Sequence, residues 1–134
     1  MTQHQGAETL GAARRRFEGA RRAVRFAEER AERARIEVAR TKAVVSAHGD
    51  VVGQMTAWSA SQGTFDLGPA ELPHGLAQAR RRLTVSQEEH ERADRLLQSL
   101  EQEAQQLRQA ANLAAEELRA VMNGALPFGE QSVS

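Results

Sequence analysis

Apolar residues recur along this chain at alternating spacings of three and four, in two long runs separated by a segment rich in Gly and Pro. The first run places Leu10, Phe17, Val24, Ala31, Val38, Val45 and Val52 in one series. A second series, interleaved with it, holds Ala13, Ala20, Ala27, Ala34, Thr41, His48 and Met55. These are the a and d positions of a heptad repeat, the signature of a helix that buries one narrow seam against another helix. The second run repeats the behaviour, with Leu76, Leu83, His90, Leu97, Ala104, Ala111, Leu118 and Ala125 at a. Its d positions are Ala79, Ser86, Ala93, Leu100, Leu107, Ala114 and Val121.

The intervening stretch SASQGTFDLGPAELPHG carries Gly63, Gly68, Pro69, Pro73 and Gly75. Gly admits backbone angles that a helix does not use, and Pro cannot continue a helix interior, so this segment predicts a turn. Gly49 and Gly53 weaken the last turns before it, each by about 1 kcal/mol relative to Ala. After Asn123-Gly124 the periodicity stops and Pro127 follows. The expected organisation is a flexible segment at 1–9, a coiled-coil helix at 10–58, a turn or tip at 59–75, a second helix at 76–123 and a flexible tail at 124–134. The fold class is all-α: a long two-helix antiparallel coiled-coil hairpin, with pairing of two hairpins into a four-helix bundle as a further option.

In an antiparallel pair, facing residue numbers add to a constant. A sum of 131 sets Met55 beside Leu76, Thr41 beside His90, Ala34 beside Leu97, Ala31 beside Leu100 and Ala13 beside Leu118. Large side chains then mostly meet small ones, as interdigitated packing requires. The flanking e positions pair Glu28 with Arg108, Arg35 with Glu101 and Lys42 with Asp94; the g positions pair Arg16 with Glu117 and Arg30 with Glu103. Each exposed pair contributes a few tenths of a kcal/mol, but together they oppose a one-heptad slip. Charge by halves agrees: residues 1–62 carry eleven basic and seven acidic groups (+4), and residues 63–134 carry seven and eleven (−4). A polar layer of Thr41 and His90 within an apolar seam is read as a device that specifies register.

Within this pattern ARRRF at 13–17 and ARRRL at 79–83 are the same heptad phase, with Arg14–Arg16 and Arg80–Arg82 at e, f and g. Neither triplet has aromatics interleaved for base stacking, and the net charge of the chain is zero, which argues against a nucleic-acid partner. Aromatics make up only 4% of the residues, so a narrow-stripe core is expected in place of a broad one. Without Cys there is no disulfide, thiolate nucleophile or Cys-based zinc site. Of the four His, none lies in an HExxH motif, and Gln87 stands three residues before His90 where a bundle di-iron site needs Glu. Ser46, His48 and Asp50 cluster in SAHGD, but their spacing on one helix cannot align a nucleophile, a base and an orienting acid. Phosphate-binding loops are missing, so no catalytic residue, cofactor or metal is assigned and the chain is not read as an enzyme. MTQHQGAETL lacks the features of a signal peptide, and no run reaches the ~20 apolar residues of a membrane span, so a cytoplasmic location without membrane insertion is expected.

The more informative signal is at the surface. Val44, Val51 and Trp58 occupy successive g positions on the first helix, and Leu96 sits at g on the second. With Phe65 and Leu67 at the tip, they make an edge more apolar than a lone hairpin requires, and they are the expected contact residues for a protein partner or a second copy. The expected role is that of an adaptor, scaffold or stalk whose seam holds a rod roughly 70 Å long. By helix length and heptads the pattern resembles the rod-like stalk or chaperone proteins of flagellar and type III secretion ATPases. It also resembles WXG-type secreted hairpins, although Trp58 is followed by Ser59 and Ala60; a phage scaffold is a further alternative role. Asp66 and Glu71 at the tip are similar to the acidic tip of factors that enter the RNA polymerase channel. These likenesses share the hairpin and imply different partners, and no family is assigned from them.

Overall fold

A computed structural model describes residues 2–62 and 71–124, with side chains described for 9–61 and 75–124. Two helices account for the described chain: α1 is Thr2–Gln62 and α2 is Glu71–Gly124. Between Leu10 and Trp58 there is no Pro, and Ala, Arg and Glu, all strong helix formers, dominate. Both helices start earlier than the heptads alone imply, and α1 also runs past residue 58. Their seam pattern begins later than their backbone does. Residues 2–9 contain no Pro, so helix propagates through them. Pro73 is the third residue of α2, within the first turn, where its missing N–H would have had no helical acceptor. Residues 63–70, among them Phe65 and Leu67, and the tail from 125 lie outside the described residues.

The helices pack against each other as a hairpin, and every described a and d residue is buried or half-buried. Contacts group the chain into two compact units, one joining residues up to Ala31 with those from Ser99 onward, the other spanning Glu32–Gln98. In the first unit the buried residues are Ala13, Ala27 and Ala31 on α1 and Leu100, Ala104 and Ala111 on α2. In the second they are Ala34 and Thr41 on α1 and Ala79, Ser86 and Ala93 on α2. Leu100 alone among them is large. Small side chains let the helix backbones approach closely and leave the larger seam residues to lap over the edges, which is why those remain only half-buried. The buried hydroxyls are internally satisfied: Ser86 Oγ donates to the Leu83 carbonyl at 2.8 Å, and Thr41 Oγ1 lies 3.0 Å from the carbonyls of Glu37 and Val38. Among the described residues no buried side-chain nitrogen or oxygen lacks a partner.

Cross-helix ion pairs in the first unit follow the expected register. Arg16 pairs with Glu117, Arg30 with Glu103 at 3.5 Å, and Arg108 with Glu28 at 3.2 Å. The other two expected pairs are corrected by the structure. Arg35 binds Glu32 on its own helix at 2.8 Å, and Asp94 accepts from Gln98 at 3.4 Å with no ion pair to Lys42. Neighbours three or four residues apart on one helix meet without stretching across the seam, so the local partner costs less side-chain entropy and wins. The Arg30–Glu103 pair has side chains 40% and 48% exposed. A double-mutant cycle with Arg30→Ala and Glu103→Ala is expected to give a coupling of about 0.5 kcal/mol. In urea melts that coupling disappears in about 1 M NaCl, where the screening length is only ~3 Å.

Candidate functional site

Successive g positions on α1 are seven residues apart, close to two helical turns, so Val44, Val51 and Trp58 share one edge of the second unit. Val44 is half-buried, Val51 is 45% exposed and Trp58 is 47% exposed. The facing g positions explain the exposure. The register puts Gly75 opposite Trp58, where no side chain exists to cover the ring. A Cβ built on Gly75 would lie 3.2 Å from Met55 Cε, so this part of the seam is already filled. Leu96, 54% exposed, is opposite Glu37, whose carboxylate is turned to Arg40. Val85, 51% exposed, lies at the neighbouring c position of α2 and adds a fifth apolar side chain to the edge. Sequence reasoning missed it because c positions are ordinarily solvated; its adjacency to g on the helical wheel was the available signal. Phe65 and Leu67, assigned to the same surface, lie outside the described residues.

Beside Leu96 the edge opens into a groove of about 470 Å³, lined by Glu37, Arg40, Thr41, Glu89, Arg92, Ala93 and Leu96. Its floor is made of the small seam residues Thr41 and Ala93, and its walls of carboxylates and guanidinium groups. Arg40 clasps Glu37 with two hydrogen bonds, from Nε at 3.0 Å and from an Nη at 2.5 Å. That hydrogen bond holds the Glu37 carboxyl below the usual carboxylate range, and Glu37 in turn raises Arg40. The small stabilisation from a depressed carboxyl is present above the unfolded value and is lost as pH falls through the folded one.

Under the groove Thr41 Oγ1 lies 3.0 Å from His90 Nδ1. The hydroxyl has a single hydrogen and three neighbours, two of them carbonyl oxygens that can only accept. All are satisfied if the hydroxyl donates to the backbone and the ring donates from Nδ1 to Oγ1. Thr41 is therefore content without His90, whereas among the described residues Nδ1 has its partner only in Thr41.

No protein-family model, curated protein or solved structure matches this chain. The reading of the surface therefore rests on its residues.

The remaining candidates bring no reactive groups together. His48 is half-buried at its seam position while Ser46 and Asp50 are exposed. Among the described residues no group of three or more His, Cys, Asp or Glu is arranged to hold a metal ion. The two Arg triplets are solvent-exposed. In the first unit a groove of about 360 Å³ is lined by Arg21, Val24, Arg25, Glu28 and Arg108 with Ala111 and Asn112. Its cations are largely engaged: Arg108 binds Glu28 and Gln105, and the Arg21 guanidinium lies 5.5 Å from the Phe17 ring centroid. Among the described residues no helix is long and apolar enough to cross a membrane.

Proposed function

We propose that this chain is a non-enzymatic adaptor or scaffold that offers the apolar edge of its Glu32–Gln98 unit to a protein partner, in the cytoplasm. The observation that carries the reading is the exposure of Trp58 (47%) on one edge with Val51, Val85 and Leu96. Scattered apolar side chains on a surface need no explanation, but an exposed Trp on the same edge as three exposed aliphatic side chains has the composition of an interface anchor. The polar layer of Thr41 and His90 supports the same role, because fixed register keeps the two halves of the edge, one on each helix, in constant relation.

Trp58→Ala is expected to weaken partner binding by roughly 30-fold or more, the equivalent of about 2 kcal/mol, while leaving helicity unchanged. Arg15→Ala, at an exposed f position, is the control and should change neither. Binding is read by pull-down from native lysate and by self-association of the purified chain, with circular-dichroism melts on both variants. If Trp58→Ala lowers the melting temperature and leaves binding intact, the ring is a packing residue and the docking surface lies elsewhere.

A further inference from the structure

We infer that the edge of the first unit between Arg14 and Arg25 is a docking surface for an acidic segment of a protein partner. It is separate from the apolar edge above and of opposite chemistry. The inference starts where the register offers cations no carboxylate. Along the e positions that set Glu28 against Arg108, Arg21 falls opposite Ala115 and Arg14 opposite Met122. Neither residue can neutralise a guanidinium. Among the described residues Arg14, Arg15, Arg22 and Arg25 form no ion pair. The triplet in ARRRF thereby differs from its repeat. After ARRRF the e, f and b positions of the next heptad carry Arg21, Arg22 and Arg25; after ARRRL they carry Gln87, Glu88 and Glu91.

Two grooves open into this stretch. The larger, of about 360 Å³, is floored by Val24 and Ala111 and walled by Arg21, Arg25 and Asn112, while Arg108 and Glu28 neutralise each other at one end. The smaller, of about 180 Å³, lies among Glu18, Arg21, Arg22 and Arg25. Arg21 rests over the Phe17 ring, 5.5 Å from its centroid, which restrains the guanidinium and leaves its N–H edges available to donate. Arg119, exposed at a b position of α2, shares a face with Asn112 two turns away and adds a cation to the facing wall. Six guanidinium groups thus stand against two carboxylates, Glu18 and Glu116, over about 16 Å at 1.5 Å per residue.

Charge names the occupant, and the extent of the face limits its length. An Arg fork takes a carboxylate in two parallel hydrogen bonds, so clustered Arg suits Asp and Glu side chains. About five residues of extended chain span 16 Å. Beyond Arg25 the e and f positions turn acidic at Glu28 and Glu29, which opposes a longer polyanion running on along α1. Nucleic acid suits the face less well. Its phosphates continue at about 3.4 Å per strand, and Phe17, half-buried beneath Arg21, presents no ring for base stacking.

Fluorescence anisotropy with a labelled decaglutamate peptide tests the surface, using the full chain and circular dichroism on each variant. At about 50 mM NaCl the peptide is expected to bind with a Kd of about 100 µM or tighter, weakening about tenfold by 200 mM. Arg21→Gln with Arg25→Gln should weaken it by about tenfold or more without loss of helix. Glu18→Gln, which removes a carboxylate from the face, should tighten it about twofold. Arg80→Gln with Arg82→Gln, in the other triplet, should leave it within about twofold of wild type. Absence of peptide binding at about 1 mM chain overturns the inference. So does an equal loss from the two double variants, which marks a general attraction to Arg. A ten-residue oligothymidylate and phosphatidylserine vesicles, at equal concentration of negative charge, are the rival probes. If either binds about tenfold more tightly than the peptide and depends on Arg21 and Arg25, the face serves that other partner and the inference is refuted.

Discussion

Ala31→Asp is expected to cost about 3 kcal/mol at neutral pH, enough to lower the melting temperature by more than 10 °C or to leave the first unit unfolded. Ala31 is 1% exposed on the seam, and the register sets it against Leu100, which is 6% exposed. An Asp side chain is too short to lift its carboxylate past the flanking residues into water, so the charged form is buried without a cation. The carboxyl pKa must then rise above its ordinary value near 4, and each unit of that rise corresponds to 1.36 kcal/mol. The sign of the pH dependence follows. The penalty is absent below about pH 4, where folded and unfolded chains both carry the neutral acid. It grows as pH rises toward the elevated native value and is constant above it. Urea denaturation of Ala31→Asp at pH 3.5 and at pH 7.5 measures the difference. Ala39→Asp, at an exposed position of the same helix, is the control and should stay within about 0.5 kcal/mol of wild type at both pH values. Equal losses at the two positions would show that burial on the seam is not what limits this unit.

The second large effect is an asymmetry in the Thr41–His90 layer. Thr41→Val removes the one partner of His90 Nδ1 among the described residues and should cost about 1–2 kcal/mol. His90→Leu leaves the Thr41 hydroxyl with the Glu37 and Val38 carbonyls, each at 3.0 Å, and should be neutral or stabilising. The combined change replaces a polar layer by an apolar one and should exceed wild type by about 1 kcal/mol, at the expense of alignment. Alignment is read from oxidised thiol pairs. Ala34→Cys with Leu97→Cys should bridge selectively in the wild-type background. Ala34→Cys with Ala104→Cys, one heptad away, should bridge appreciably only when Thr41→Val and His90→Leu are both present. Equal losses from Thr41→Val and His90→Leu would show that the hydrogen bond is reciprocal and that our assignment of its donor is wrong.

Much of this fold could be read directly from residue spacing. The two series from Leu10 to Met55 and from Leu76 to Val121 are the residues that the structure withdraws from water, because a period of 3.5 buries one stripe of a helix against another. The facing of Thr41 and His90 followed from the same heptad register as the ion pairs of Arg16, Arg30 and Arg108. What spacing could not resolve was competition. Arg35 had two acidic neighbours in reach, and the nearer one, Glu32, was decided by side-chain entropy that heptad letters do not encode. Helix starts were misplaced for a related reason: the seam pattern marks where a helix meets its neighbour, whereas Pro73 and residues 2–9 obey only local backbone rules. On the edge proposed for docking, the shared face of Val44, Val51, Trp58 and Leu96 follows from their g positions. Val85 and the groove over Thr41 were not, because a groove depends on how small the floor residues are relative to their walls.

The preponderance of Ala among the buried residues has a calorimetric consequence. Hydrating newly exposed apolar surface is what gives unfolding its positive heat capacity, about 0.45 cal/K/mol per Å², and an Ala methyl releases little of it. With Leu100 as the one large residue among those buried, this hairpin exposes less apolar area per residue on unfolding than a globular core does. Its heat-capacity increment therefore falls below the usual ~12–15 cal/mol/K per residue. A small increment flattens the curve of stability against temperature: the enthalpy changes slowly, cold denaturation recedes, and the denaturant slope is shallow for a chain of this length.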